Sequence, residues 1–225
     1  MRHAILGAGG VGGLIGGALA RAGRDVVLLL RPGTLARHPR RLRVASAVLG
    51  DFEAEVELAG ELEREVDVLW VTPKAPDLEA ALTLATPARV GAAVVVPMLN
   101  GIDHVALLRA RYERVLAAAI RVESERVEPG LVRQPTPFAR IDLAPGPQSD
   151  GVAAELRATG LQVEVGPDEP TVLWEKLSLL GPLALTTTAA GAPAGEVQAA
   201  PQWSERLFAC APDGAPVVRP GWPGL

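Results

Sequence analysis

An α/β class with a doubly wound sheet is predicted by two observations: short apolar runs alternate with helical patterns along most of the 225 residues, and a glycine-rich turn joins the first run to the first helix. A third observation sets the scale. Hydrophobic residues make up 48% of the chain, enough for the core of one large domain or a domain and a half.

The clearest strands are His3 to Leu6, Asp25 to Leu30, Val66 to Thr72 and Ala92 to Pro97. A helix from about Gly10 to Arg21, ended by Gly23, links the first two, and Ala75 to Leu84 and Asp103 to Arg111 read as further helices, the latter with Asp103 as its cap. Leu42 to Val48 and Glu53 to Leu58 flank Gly50-Asp51, which predicts a small antiparallel hairpin. Strand-like pieces follow at Val115 to Val122, Gly130 to Gln134 and Ala139 to Leu143, then a helix near Gly151 to Thr159 and a strand Gln162 to Val165. Gly166 to Pro170 reads as a linker, and from Thr171 to about Ala190 the pattern turns helical and strongly apolar. Beyond Ser204 it dissolves into a stretch holding Pro212, Pro216, Pro220 and Pro223, which cannot form a continuous helix. The expected organisation is therefore a dinucleotide-binding domain over residues 1–167 and an incomplete helical second domain over 168–225.

Composition excludes several classes. The net charge of -4 comes without a long block of either sign, so nothing in it predicts nucleic-acid binding. One cysteine, Cys210, and three scattered histidines, His3, His38 and His104, have no metal-ligand spacing and read as surface or filler residues. Met1-Arg2-His3 before an apolar run resembles a secretory signal, and Gly12/Gly16 and Gly13/Gly17 suit packed membrane helices. However, seven of the eleven residues from Gly7 to Gly17 are glycine, which is poor for bilayer insertion. A cytoplasmic protein with no membrane partner is expected.

Gly7-Ala8-Gly9-Gly10-Val11-Gly12 fits G-x-G-x-x-G directly after a strand and at the start of a helix, the setting of a Rossmann-type dinucleotide site. Gly7 serves the tight turn, Gly9 the close approach of the pyrophosphate and Gly12 the packing of helix on sheet, while the helix-start amides face the phosphates. NAD sites normally place an acid at the end of the second strand. Here Leu30-Arg31 stands instead, nineteen positions after Gly12, and the Arg31 guanidinium suits a 2′-phosphate. NADPH is the expected cofactor.

Joined to Thr72-Pro73-Lys74, Leu99-Asn100-Gly101 and Leu173-Trp174-Glu175-Lys176-Leu177, these residues resemble the ketopantoate reductase (2-dehydropantoate 2-reductase) family from Met1 to about Glu196. The resemblance implies an oxidoreductase that reduces ketopantoate to pantoate with NADPH in pantothenate biosynthesis, or acts on a related 2-keto acid, and a homodimer is compatible with it. It further implies Lys176 as proton donor, Lys74 and Asn100 as residues holding cofactor and substrate, Arg31 as the 2′-phosphate ligand and Ser124 as a further cofactor contact. A lysine fits such a step, because charge develops on the carbonyl oxygen as hydride arrives. A second lysine nearby is expected to lower the first one's pKa. Where the family commonly carries asparagines after the lysine, this chain has Leu180 and Ala184. The chain is also shorter than the resemblance implies, so the alternative expectation is a non-catalytic NADP-binding remnant of such a reductase.

Overall fold

A computed structural model describes residues 1–210 of the chain. Strand β1 (Arg2–Leu6) ends in an apolar run, Ala4, Ile5 and Leu6 being wholly buried, as a central parallel strand with both faces covered must be. Helix α1 (Gly10–Arg21) returns the chain to β2 (Asp25–Leu29), and the short α2 (Pro32–Leu35) follows. Next come β3 (Arg41–Ser46), β4 (Phe52–Glu55), β5 (Glu57–Ala59) and β6 (Val68–Val71). A 3₁₀ turn over Ala75–Asp77 leads into α3 (Leu78–Leu82); α4 (Pro87–Val90), β7 (Val94–Pro97) and α5 (Asp103–Arg109) complete this half. The main sheet has the order β5-β2-β1-β6-β7 and every pair in it is parallel.

The remaining strands are β8 (Ala118–Val122), β9 (Glu125–Glu128), β10 (Leu131–Gln134), β11 (Ala139–Leu143) and, beyond α6 (Ser149–Arg157), β12 (Gln162–Val165). They build a four-stranded sheet β4-β3-β10-β9 and a three-stranded sheet β12-β11-β8. The latter continues the main sheet, because Val95 N–H donates to Arg114 O at 2.8 Å and Leu116 N–H to Val95 O at 2.9 Å. Helix α7 (Glu169–Ala190) packs on β8 and β11, and α8 (Ala194–Ala199) and α9 (Pro201–Ala209) fold back onto it.

Helix α1 lies between two sheets, and its glycines explain how. Side chains at Gly12 and Gly16 would run into β1: a Cβ at Gly16 would stand 3.1 Å from Ile5 Cγ1. On the opposite side, Cβ atoms at Gly13 and Gly17 would come to 2.5 Å from Val132 Cγ2 and 3.0 Å from Val44 Cγ2. Each helical glycine costs about 0.5–1 kcal/mol relative to alanine, and the close packing of two sheets offsets it. The small-xxx-small spacing thus serves a helix sandwiched between sheets. Among the described residues no helix is long and apolar enough to cross a membrane.

Several boundaries differ from expectation for identifiable reasons. The hairpin forms as β3 and β4, but Glu57–Ala59 leaves it to pair in parallel with β2 at the edge of the main sheet. The helix expected over Ala75 to Leu84 is split, its first turn being 3₁₀. Asp103 is the first residue of α5 rather than its cap, Ile102 holding that position. Strand β9 carries four exposed residues, so no apolar alternation marks it. The linker is shorter than predicted: Asp168 caps α7 by accepting from Thr171 N–H at 2.8 Å, which draws Glu169 and Pro170 into the helix. Helix α9 extends past Ser204, and the four prolines lie outside the described residues. All three histidines are buried, His3 completely, with Trp70 Nε1 donating to His3 Nδ1 at 3.2 Å and Glu155 against its Nε2 at 3.1 Å.

Candidate active site

In an open parallel sheet a ligand crevice forms beyond the strand ends where the strand order reverses. Here the chain runs from β1 outward through β2 to β5 on one side and through β6 to β7 on the other, so the reversal falls between β1 and β6. The turns leaving β1, β2 and β6 line a cleft of about 510 Å³ there. Gly7 turns the chain with φ of +95°, a value that side chains with a Cβ rarely adopt. The Thr72 hydroxyl lies 2.6 Å from the Gly7 carbonyl and 2.9 Å from that of Leu6, latching this turn to the end of β6.

Ala8, Gly9, Gly10 and Val11 form the floor of the cleft, while Gly12 packs beneath it. Nothing lies within 4 Å of the position a Gly9 Cβ would take, so the main chain there is open to a close ligand. Gly13 N–H returns to Gly9 O at 2.8 Å, which leaves the amides of Gly10, Val11 and Gly12 as the opening turn of α1. Ser124 closes the side of the loop: its hydroxyl donates to Gly10 O at 3.0 Å, and a Cβ on Gly10 would stand 2.1 Å from the Ser124 carbonyl oxygen. This loop fits the pyrophosphate of a dinucleotide on geometry alone, since its bare backbone, positive helix end and open glycine are the features such a group requires.

Arg31 leaves the end of β2 at the cleft wall with 64% of its side chain exposed, its Nη1 3.6 Å from Asp77 Oδ1. No acid stands at the end of β2; the acids on the cleft wall are Asp77, from the turn after β6, and Glu125, at the start of β9. Lys74, at the head of that turn, also lines the cleft and is exposed.

A second space of about 380 Å³ opens where β7, β8 and α7 meet. Asn100 reaches it from the turn after β7, and Ala118 and Ala119 floor it from β8. From α7 come Leu173, Lys176, Leu177, Leu180, Ala184 and Thr187, spaced by three and four and therefore on one helix face. Lys176 is 7% exposed and its amine donates to Asn100 Oδ1 at 2.8 Å. Burial pushes its pKa down to about 8, and the charge of Arg121 on β8 acts in the same direction. Burial first and the Lys176 charge second lower the pKa of His104, on α5, and its Nε2 has no hydrogen-bond partner among the described residues.

Of the residues singled out in the sequence, the structure brings Gly7 to Val11, Arg31, Lys74 and Ser124 to the cleft, and Asn100 and Lys176 to the neighbouring cavity. Lys74 lines only the first space, and the second cation acting on Lys176 is Arg121. Sequence reasoning missed Thr72, Asp77, Arg121 and Arg126, the last also on the cleft wall. Thr72 carried a signal, standing immediately before Pro73-Lys74. The other three lie on a short turn or on strands that no local pattern ties to either space.

Residues 3–148 match the family model described as ketopantoate reductase PanE/ApbA. A 2-dehydropantoate 2-reductase of Archaeoglobus fulgidus is 28% identical over 221 residues, which cover 96% of this chain and 74% of that protein. The uncharacterized oxidoreductase YkpB of Bacillus subtilis is 29% identical over 209 residues, 88% of this chain and 68% of its own. Among solved structures, a PanE/ApbA family ketopantoate reductase from Ralstonia eutropha superposes with a TM-score of 0.80 at 28% identity, covering 92% of this chain and 70% of that one.

Proposed function

This chain belongs to the ketopantoate reductase (PanE/ApbA) family of oxidoreductases, and we propose that it reduces a small 2-keto acid to the 2-hydroxy acid with NADPH, ketopantoate being the reference substrate. Residues 1–167 act as the dinucleotide-binding domain and the region from 168 as the substrate domain. One observation carries the reading: a buried lysine with a pKa near 8 donates to Asn100 in a cavity beside a cleft built for a pyrophosphate.

When bound, the cofactor supplies the hydride, and the chain's own residues do the rest. The Gly7 to Gly12 loop and Ser124 hold the dinucleotide, with Lys74 at the cleft wall and Arg31 at the 2′-phosphate. Asn100 orients the Lys176 amine, and protonated Lys176 stabilises the negative charge growing on the keto oxygen and gives that oxygen its proton. One hydride on carbon and one proton on oxygen complete the reduction, and Lys176 regains its proton from solvent. Spectrophotometric NADPH oxidation with ketopantoate and other 2-keto acids tests this. Turnover supports the reading, and bound NADPH that no 2-keto acid oxidises overturns it.

The proton-donor role has a signed pH consequence. A general acid must be protonated, so kcat/KM for reduction is expected to be level below pH 8 and to fall about tenfold per unit above it, because the free-enzyme pKa of Lys176 is about 8. Oxidation of the hydroxy acid should show the mirror profile. A reduction rate that climbs through pH 8 to 10 contradicts the assignment.

Cofactor choice follows from Arg31. Its charged contact with a 2′-phosphate makes Arg31→Ala weaken NADPH by about tenfold while NADH changes little, read by calorimetric titration. Asp77→Asn removes the acid 3.6 Å from Arg31 and should move NADPH affinity the opposite way. Equal losses for both cofactors in Arg31→Ala would remove Arg31 from phosphate recognition.

A further inference from the structure

We infer that the preferred substrate is a 2-keto acid whose side chain is bulky, branched and wholly apolar, so that a hydroxyl on that side chain lowers catalytic efficiency. This rests on the reductase reading above and adds to it the chemistry of the group beyond the keto carbon.

The polar atoms of the cavity are few and gathered. Among the described lining residues only Asn100, Lys176 and Thr187 carry a polar side-chain atom. Lys176 and Asn100 are joined to each other at 2.8 Å and face the keto acid head in the reading above. Thr187 stands three turns further along α7, and its hydroxyl donates back to Leu183 O at 2.7 Å, which leaves it no hydrogen for a ligand. Everything between is hydrocarbon: Leu173, Leu177, Leu180 and Leu183 from α7, and Ala118 and Ala119 from β8. A space of about 380 Å³ exceeds what a methyl group needs, and leucine walls with alanine floors suit a branched aliphatic or aromatic substituent.

The penalty for a hydroxyl follows from its hydration. Moved from water onto the leucine and alanine wall, it loses its hydrogen-bond partners and gains none there, the one acceptor of the far wall being Thr187 Oγ1, three turns from Lys176. Ketopantoate and trimethylpyruvate form a clean pair, since they differ by that one hydroxyl on an otherwise identical branched skeleton. An apolar pocket rejects an added hydroxyl by up to about a hundredfold, so kcat/KM for trimethylpyruvate should exceed that for ketopantoate by about ten- to a hundredfold.

The test is steady-state NADPH oxidation by the full chain with both compounds, together with Leu180→Asn. That variant sets one amide on the wall a single turn from Lys176, and its folding is checked by circular dichroism. The inference expects the wild-type preference just given and a fall of at least about fivefold in it for Leu180→Asn, through a gain with ketopantoate. Ketopantoate turned over as efficiently as trimethylpyruvate by the wild type overturns the inference and leaves the reductase reading standing. Turnover of neither compound, with NADPH bound, overturns both.

Discussion

Lys176→Ala is expected to lower kcat for 2-keto acid reduction by about 10²–10⁴-fold, the usual contribution of a positioned general acid, while NADPH affinity changes little. The separation between the two readouts follows from where the residue sits. Lys176 lines the cavity on α7 and takes no part in the cleft between β1 and β6, so its loss removes charge stabilisation that matters as hydride arrives and leaves the pyrophosphate loop untouched. Its amine is anchored on Asn100 and shielded from solvent, so bulk water is a poor replacement. Lys176→Met keeps most of the packed stem and should lose activity equally, which distinguishes a lost proton donor from a lost contact. A variant of either kind that keeps more than half the parent kcat would sink the assignment.

The second large effect separates two glycines of one loop. A Cβ at Gly12 would stand 2.2 Å from Gly7 O and 2.4 Å from Thr72 Oγ1, the two ends of the latch that closes the loop on β6. Gly12→Val should therefore force the loop open, lower Tm by about 5–10 °C and abolish measurable NADPH binding. At Gly9 a Cβ meets nothing within 4 Å, and the backbone there, φ -82° and ψ -161°, suits alanine. Gly9→Ala should leave Tm within about 2 °C of the parent yet weaken NADPH at least about tenfold, because the methyl occupies space that the pyrophosphate needs. Thermal melts beside calorimetric titration read both, and a Gly9→Ala variant with parental affinity would show that the dinucleotide does not lie against this loop.

The β1-α1-β2 unit was legible because each of its signals is local: a buried run, a glycine turn at the helix start and a second run. So was the empty acid position at the end of β2. Less local facts were hidden. Nothing near Glu57 shows that β5 will leave its hairpin for the edge of the main sheet, since only the register with Val27 to Leu29 decides it. Strand β9 forms on pairing with β10 and is exposed at all four positions, three of them charged, so it has no apolar period to read. In the site, Asn100 and Lys176 are 76 positions apart, and no spacing argument joins them; family likeness did. The same likeness predicted a second lysine as the perturbing charge, whereas the fold sets Arg121 beside Lys176 and leaves Lys74 on the cofactor cleft.

The face of α7 that walls the cavity has an evolutionary consequence. Leu173, Leu177, Leu180, Ala184 and Thr187 lie on one helix, whereas the dinucleotide cleft draws on the turns after β1, β2, β6 and β8. Selection for a new side chain on the substrate can therefore act on a handful of codons within fifteen successive positions without passing through the residues that hold the cofactor. A lineage built this way can change its diet one leucine at a time while its reducing agent stays the same, and neutral drift among aliphatic residues along that face would seed such changes.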